Sequence, residues 1–307
     1  MLTSLSSILT KAQRGRYAVG AFNINNLETL QAVMDAAQAE RSPVIVQTSE
    51  GAIDYAGMDE LAALVHLAAK RTSRPVVFHL DHGKNYDLVV RAIISGFYTS
   101  VMFDGSSLPY KENVRRTKKL VEMAHKKGIS VEAELGLIAG KEDFVSVAEH
   151  EAAMTQPAQA ADFIKQTGCD ALAVAIGTRH GAFKMKTEST LDFERLKQIA
   201  EAVSVPLVLH GASGVPSRIK TLCTKYGCEI ASAKGIPDIQ IKKAVSLGIC
   251  KVNIDTDLRI AFDAGIRKFL KEKPGVIDPR EILKPAKALI TQVARHKMKL
   301  FGSSGKA

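Results

Sequence analysis

Apolar positions along the chain follow two interleaved rhythms. The first is a set of eight short runs rich in β-branched residues: AVGAFN (18–23), PVIVQTS (43–49), PVVFHLD (75–81), SVMFDGS (100–106), ISVEAEL (129–135), ALAVAIG (171–177), PLVLHG (206–211) and ICKVNID (249–255). Their length and composition predict buried strands and not helix segments. The second rhythm has helical spacing. Leu27, Leu30, Val33, Met34 and Ala37 form one stripe, Leu61, Leu64, Val65 and Ala68 another, and Phe193, Leu196, Ile199 and Ala200 a third. Strand and helix therefore alternate, and no Pro/Gly/Ser-rich linker divides them, which predicts a parallel sheet flanked by helices.

Eight such units over about 250 residues suit a closed (β/α)8 barrel of the α/β class, a TIM barrel, better than an open doubly wound sheet. A dinucleotide-binding sheet would carry G-x-G-x-x-G after its first strand, and GAFNINN does not supply it. The whole chain, 1–307, reads as one domain with a helical extension at about 278–300. The longest stretch without periodicity, about 137–155, follows the fifth strand and reads as a mobile active-site loop.

In a barrel of this kind the active site lies at the C-terminal ends of the strands. Strand three ends in Asp81-His82, strand four in Asp104 and strand five near Glu134. Strand six runs into GTRHG with His180, strand seven closes with His210, and strand eight with Asn253 and Asp255. Six of the eight strand ends thus bring a metal-capable or acid–base residue to one rim. Histidines 82, 180 and 210, arriving from three strands, make a ligand set for a catalytic Zn²⁺ with an open fourth position. His79 shares a face with Asp81 by strand alternation and reads as a structural or ligand-orienting residue one layer lower. His66, His125, His150 and His296 fall outside the strand ends and read as non-catalytic. Glycines and hydroxyls accompany the same rim: GTRHGAFK holds Gly177, Gly181 and Lys184, HGASG holds Gly211, Ser213 and Gly214, and VNIDTD holds Asn253 and Thr256. Backbone N–H groups and hydroxyls after strands seven and eight form the phosphate cradle typical of this architecture.

Composition adds bounds. Apolar residues make 46% of the chain and charged residues 24%, an ordinary globular profile, and no apolar run reaches the ~20 residues of a membrane span. The N-terminus lacks the three-part pattern of a secretory signal. Four cysteines, Cys169, Cys223, Cys228 and Cys250, are too few for a disulfide scaffold and read as free thiols in a reducing cytoplasm. The net charge of +10 points to anionic partners, phosphorylated metabolites or nucleic acid. The basic residues are scattered and no RNP-like run, helix-turn-helix or finger spacing accompanies them, so a polyanion-binding barrel is the distant alternative and nucleic acid is not the expected partner.

With VVFHLDHG, VEAELG, AIGTRHG, LHGASG and KVNIDTD assembled, the chain resembles the class II, metal-dependent fructose-bisphosphate aldolases over nearly its whole length, from GAFNINN to FGSSGKA. The resemblance implies a lyase of glycolysis and gluconeogenesis. Its reaction is reversible cleavage of fructose 1,6-bisphosphate to dihydroxyacetone phosphate and glyceraldehyde 3-phosphate by a zinc-polarised enediolate route. It implies one catalytic Zn²⁺ per subunit on His82, His180 and His210, with Asp104 and Glu134 as orienting or alternative metal contacts. Asp81 is implied as the acid–base at the C4 hydroxyl and Glu142 as the mobile base at C3. Asn23, Ser49, Gly181, Lys184, Gly211, Ala212, Ser213, Asn253, Asp255, Thr256, Arg259 and Asp278 are implied as substrate or phosphate contacts. A monovalent cation, Na⁺ or K⁺, is expected near the phosphate site. Arg259 matches a residue that commonly serves the neighbouring subunit, which implies a homodimer or tetramer. The rival within the fold is tagatose-bisphosphate aldolase, and the carboxylate of Asp255, where tagatose enzymes often have alanine, favours fructose. Two departures touch the site: Ala139 stands where the family usually keeps glycine, and Arg179 precedes His180 where smaller residues are common.

Overall fold

The computed structural model describes residues 1–142, 145–147, 153–180, 190–214, 216–230 and 234–307, and of 139–142, 145–147 and 180 the backbone alone. Its strands are β1 (Val19–Asn23), β2 (Val44–Thr48), β3 (Val76–Gly83), β4 (Ser100–Phe103), β5 (Ser130–Leu135), β6 (Ala139–Glu142), β7 (Val145–Val147), β8 (Ala171–Val174), β9 (Arg179–His180), β10 (Leu207–Leu209) and β11 (Ile249–Ile254). Eight of them close a parallel barrel in the order β1-β11-β10-β8-β5-β4-β3-β2. All eight apolar runs are therefore barrel strands, because a strand covered on both faces is apolar almost continuously. The helices are α1 (Leu5–Gly15), α2 (Leu27–Glu40), α3 (Glu50–Ala56), α4 (Met58–Lys70), α5 (Tyr86–Ser95) and α6 (Tyr110–His125). They continue with α7 (Pro157–Thr167), α8 (Phe193–Ala202), α9 (Ser217–Lys225), α10 (Asp238–Ser246), α11 (Thr256–Glu272) and α12 (Pro279–Leu300).

Two cores follow from the pleat. Outward-facing strand residues such as Phe22, Val46, Phe78, Val101 and Val131 pack against the helix layer. Inward-facing Val19, Ala21, Ile45, Val77, Met102, Ala173 and Val208 form a separate cluster with Leu5, Ile8, Leu9 and Ala12 of α1. The helix α1, not anticipated from the apolar stripes, thus seals the N-terminal end of the barrel with its apolar face. Ser4 caps it, accepting a hydrogen bond from the Ser7 amide. Above this plug the inward positions turn polar: Asn23, Gln47, His79, Asp81, Glu132, Glu134, His210, Lys251 and Asn253, all buried or nearly so. The barrel is dry at one end and functional at the other.

The stretch at 137–155 is not wholly irregular. Where described, β6 and β7 pair antiparallel, and β6 also pairs in parallel with β9. In that register Ala139 lies opposite Arg179, so the two departures from the family pattern meet in one small sheet.

The C-terminal helix α12 packs against both α11 and α2. The contact with α11 depends on Gly265, where a Cβ would lie 2.6 Å from Ala286 Cα and 2.7 Å from Ala286 N. Those neighbours are backbone and cannot swing aside. Gly265→Val should lower stability by about 1–3 kcal/mol through overpacking, seen as a lower urea midpoint with the slope unchanged.

Candidate active site

The centre of the polar half is set by an unusual backbone. Among the described residues three non-glycines have positive φ; Arg16 and Arg41 cap helices, but His82, at φ 45°, lies within β3. Strict alternation would send neighbours Asp81 and His82 to opposite faces. One extra residue in β3, between Leu80 and Gly83 against Val101 and Phe103 of β4, forms a bulge. Together with the left-handed turn it aims both side chains into the barrel. Such a conformation costs roughly 1–3 kcal/mol and persists only where its surroundings enforce it.

Asp81 is 1% exposed and anchored by three amide donors. Asn23 Nδ2 and Gln47 Nε2 each donate to its Oδ2 at 3.0 Å, and Asn253 Nδ2 donates to its Oδ1 at 2.8 Å. Beside it, His82 Nε2 and His210 Nδ1 approach to 2.6 Å with the rings edge to face. On its far side His210 Nε2 lies 2.8 Å from Glu132 Oε1. Glu132 in turn takes the buried Lys251 ammonium at 2.9 Å, and Lys251 donates to Asn253 Oδ1 at 2.7 Å. His79 completes this layer: its Nδ1 meets Ser100 Oγ at 2.9 Å and its Nε2 lies 3.6 Å from Glu132. Burial, and then the Lys251 charge, push its pKa well down, so its imidazole is neutral.

The other nitrogen of His82, Nδ1, faces Asp104 at 3.4 Å and Glu134 at 3.8 Å. Burial alone would raise the Asp104 pKa. The His82 hydrogen bond and charge, the Lys84 ammonium at 3.4 Å and the Ser106 hydroxyl at 2.6 Å outweigh it and hold the carboxyl well below its usual range.

The donor chemistry suits a divalent cation. With the Glu132 carboxylate accepting from His210 Nε2, the His210 Nδ1 carries a lone pair and faces His82 Nε2 at 2.6 Å. Asp81, His82 and His210 have ligand atoms within 4.8 Å of one another, and so do His82, Asp104 and Glu134. The two groups share His82 through its opposite ring nitrogens. The Lys251–Glu132–His210 chain is an arrangement that fixes a ligand histidine's tautomer and orientation. Of His180 the backbone alone is described, in β9, beyond the end of barrel strand β8 rather than on it. Its neighbour Arg179 nonetheless packs on the residue after His210: a Cβ at Gly211 would lie 2.6 Å from the Arg179 carbonyl oxygen. Glu142 is likewise described by backbone only, in β6, while Gly181, Lys184 and His150 lie outside the described residues.

A cavity of about 400 Å³ adjoins this centre, lined among others by Asn23, Ser49, Tyr55, Asp255 and Arg259. Asn23 is the hinge between them, bonded to Asp81 and facing the cavity. Arg259 pairs with Asp255 at 2.8 Å within the same chain. Ser49 also caps α3, accepting from the Ala52 amide.

The loop after β10 brings Gly211, buried Ala212, buried Ser213 and Gly214 toward the N-terminus of α11, which begins at Thr256 and whose Asp255 and Arg259 line the cavity. Backbone N–H groups there favour an anion. The Gly214 amide donates to Asp257 Oδ2 at 3.0 Å, and Lys297 of α12 pairs with the same buried carboxylate at 3.1 Å. Asn253, expected in the phosphate cradle, is bonded to Asp81 and lies 3.4 Å from His210. Asp278 caps α12 and pairs with Arg280, and it is not among the residues lining the cavity.

Glu132, Gln47 and Lys251 were absent from the residues singled out in the sequence. Glu132 is two positions before Glu134, and Lys251 two before Asn253, so strand alternation alone places both inside. Glu132→Gln should weaken divalent-metal affinity by about 10–100-fold, measured by competition with a chromogenic chelator on folded protein.

Comparison with known proteins agrees with this geometry. The family model described as "Fructose-bisphosphate aldolase class-II" matches residues 3–306. The chain is 48% identical to the fructose-bisphosphate aldolase of Thermus caldophilus and 45% identical to that of Helicobacter pylori (strain ATCC 700392 / 26695), each match covering 100% of both sequences. Among solved structures, the YdjI aldolase from Escherichia coli K12 superposes with a TM-score of 0.82 at 36% identity, covering 100% of both chains.

Proposed function

The chain belongs to the class-II fructose-bisphosphate aldolase family, a family of lyases, and from that premise we propose how its residues divide the reversible cleavage of fructose 1,6-bisphosphate to dihydroxyacetone phosphate and glyceraldehyde 3-phosphate. A divalent cation, zinc in our reading, held by His82, His180 and His210 supplies Lewis acidity toward the substrate's ketone oxygen. Asp104 and Glu134 are assigned to orienting His82 or to an alternative metal contact, a reading supported by their approach to His82 Nδ1 at 3.4 and 3.8 Å. The rest of the chemistry falls to side chains of this chain.

The observation that carries the reading is the geometry of Asp81. A carboxylate has about four lone-pair sites, and amides of Asn23, Gln47 and Asn253 occupy three of them. Among the described residues this leaves one acceptor position, oriented from three directions and beside the histidine pair. In cleavage that position takes the proton of the C4 hydroxyl as the C3–C4 bond breaks, and in condensation it returns it. Glu142, assigned from its motif, exchanges the proton at C3.

The phosphate on the ketone side is assigned to Gly181, Lys184, Gly211, Ala212, Ser213 and Thr256, at the α11 N-terminus, with a monovalent cation, Na⁺ or K⁺, beside it. The other phosphate is assigned to the cavity bearing Asn23, Ser49 and Arg259. Asp255, which shares that cavity, is assigned to hydrogen-bond sugar hydroxyls and so to favour fructose over its C4 epimer, and Asp278, outside the lining of that cavity, is assigned only an indirect part. We read the working form as a homo-oligomer, at least a dimer, in which Arg259 also serves the neighbouring subunit. Four free cysteines accord with a cytoplasmic setting.

Asp81→Ala should lower turnover by ~10²–10⁴-fold while the protein still retains metal through dialysis. Near-full turnover in that variant would remove Asp81 from the reaction. Treatment with a chelator should abolish cleavage of fructose 1,6-bisphosphate, and added zinc should restore it. A polyanion-binding barrel would instead show no turnover in either state and would bind nucleic acid with steep salt dependence.

A further inference from the structure

On the flank of the barrel, away from the histidines, the end of α9 carries a second convergence of ligand-type side chains. The helix stops in a Schellman turn: the Cys228 amide donates to the Cys223 carbonyl at 3.0 Å and the Gly227 amide to the Thr224 carbonyl at 3.1 Å, with Gly227 at φ 89°. That turn brings the Cys223 and Cys228 side chains together. From α11, Asp263 reaches the same point, and Cys223 Sγ donates to Asp263 Oδ2 at 3.3 Å. Ligand atoms of all three residues lie within 4.8 Å of one another.

The bland reading is that two thiols replace the apolar pair that usually closes such a turn. It accounts for the cysteines and not for the carboxylate. Burial, the neighbouring thiol and Asp263 push the Cys223 pKa up, and burial and Asp263 do the same for Cys228. A carboxylate against two protonated thiols is a poor staple but a good chelate once a cation replaces the protons. The scaffold is also held in advance. Arg267 bonds both Asp263 oxygens, at 2.8 and 2.7 Å, and its Nη1 donates to the Gly227 carbonyl at 2.9 Å. A hydrogen-bonded carboxylate is the usual state of one that ligates a metal.

We propose that Cys223, Cys228 and Asp263 form a second, structural metal site for a thiophilic divalent cation of the zinc type. Bond lengths of ~2.3 Å to sulfur and ~2.1 Å to oxygen require the donors to close in by about 1 Å or less. Cys223 is buried while Cys228 and Asp263 are partly exposed, which leaves a fourth position to solvent. Binding exchanges one cation for two thiol protons, with no change of oxidation state. The bound ion ties the end of α9 to α11. The clip lies at the C-terminal end of α9, away from the loop after β10 where that helix begins, and so outside the active site.

The test is a titration of the reduced, full-length protein with Co²⁺ as the probe. Thiolate-to-cobalt charge-transfer absorption should appear in the near ultraviolet, a band that histidine and carboxylate ligands do not give, with about two protons released per ion bound there. Cys223→Ser and Cys228→Ser should each abolish the band and leave fructose 1,6-bisphosphate cleavage unchanged. Asp263→Asn, which keeps both thiols and the turn, should weaken the ion at least about tenfold. A wild-type protein without the band at any excess of Co²⁺ overturns the proposal. So does an undiminished band in the Cys223→Ser/Cys228→Ser double variant, which would assign it to Cys169 or Cys250.

Discussion

A lysine and a glutamate sealed inside the barrel set the terms for everything above them. Lys251 and Glu132 have no access to solvent, and neither charge is tolerable there alone. Removing one partner of such a pair typically costs about 3–5 kcal/mol, more than most single interactions in the fold. Their pairing leaves Glu132 able to accept from His210 and Lys251 able to donate to Asn253. Through those two contacts one ion pair decides which nitrogen of His210 faces the reaction centre and how the Asn253 amide meets Asp81. The histidine pair and the Asp81 carboxylate therefore share a single electrostatic foundation, one layer below them.

The second constraint is the backbone at His82. A regular strand would present Asp81 or His82 to the centre, never both. The bulge in β3 breaks that rule at one position, and the conformational strain it stores is held by the hydrogen bonds of Asp81 on one side and of His82 on the other. The phosphate side is ordered differently, by a chain of contacts running inward from the outer layer: Lys297 of α12 to Asp257, and Asp257 to the Gly214 amide. The C-terminal helix is thus coupled to the loop that follows His210.

The barrel itself was legible because a parallel strand buried on both faces writes a run of apolar, β-branched residues that little else resembles. Asp81, His82 and His210 were legible because charge at the end of such a run has no structural excuse. Glu132 and Lys251 were overlooked although they sit mid-run in ISVEAEL and ICKVNID, where their position, deeper than the rim, hides their role. The bulge at His82 has no signature in residue types. Nor has the small sheet of β6, β7 and β9, whose strands are too short for periodicity to register. Asn253 was legible from its motif as a substrate contact, while its bond to Asp81, made across the barrel, has no signature in the motif. The helix α1 escaped notice because its apolar face, Leu5, Ile8, Leu9 and Ala12, is only three turns long and follows a serine-rich start.

That plug carries a consequence for traffic. With the lower end of the barrel stoppered by packed leucine and isoleucine, the described residues leave the vessel open at its upper end alone. The six-carbon sugar must enter, and both three-carbon fragments must depart, by the same doorway.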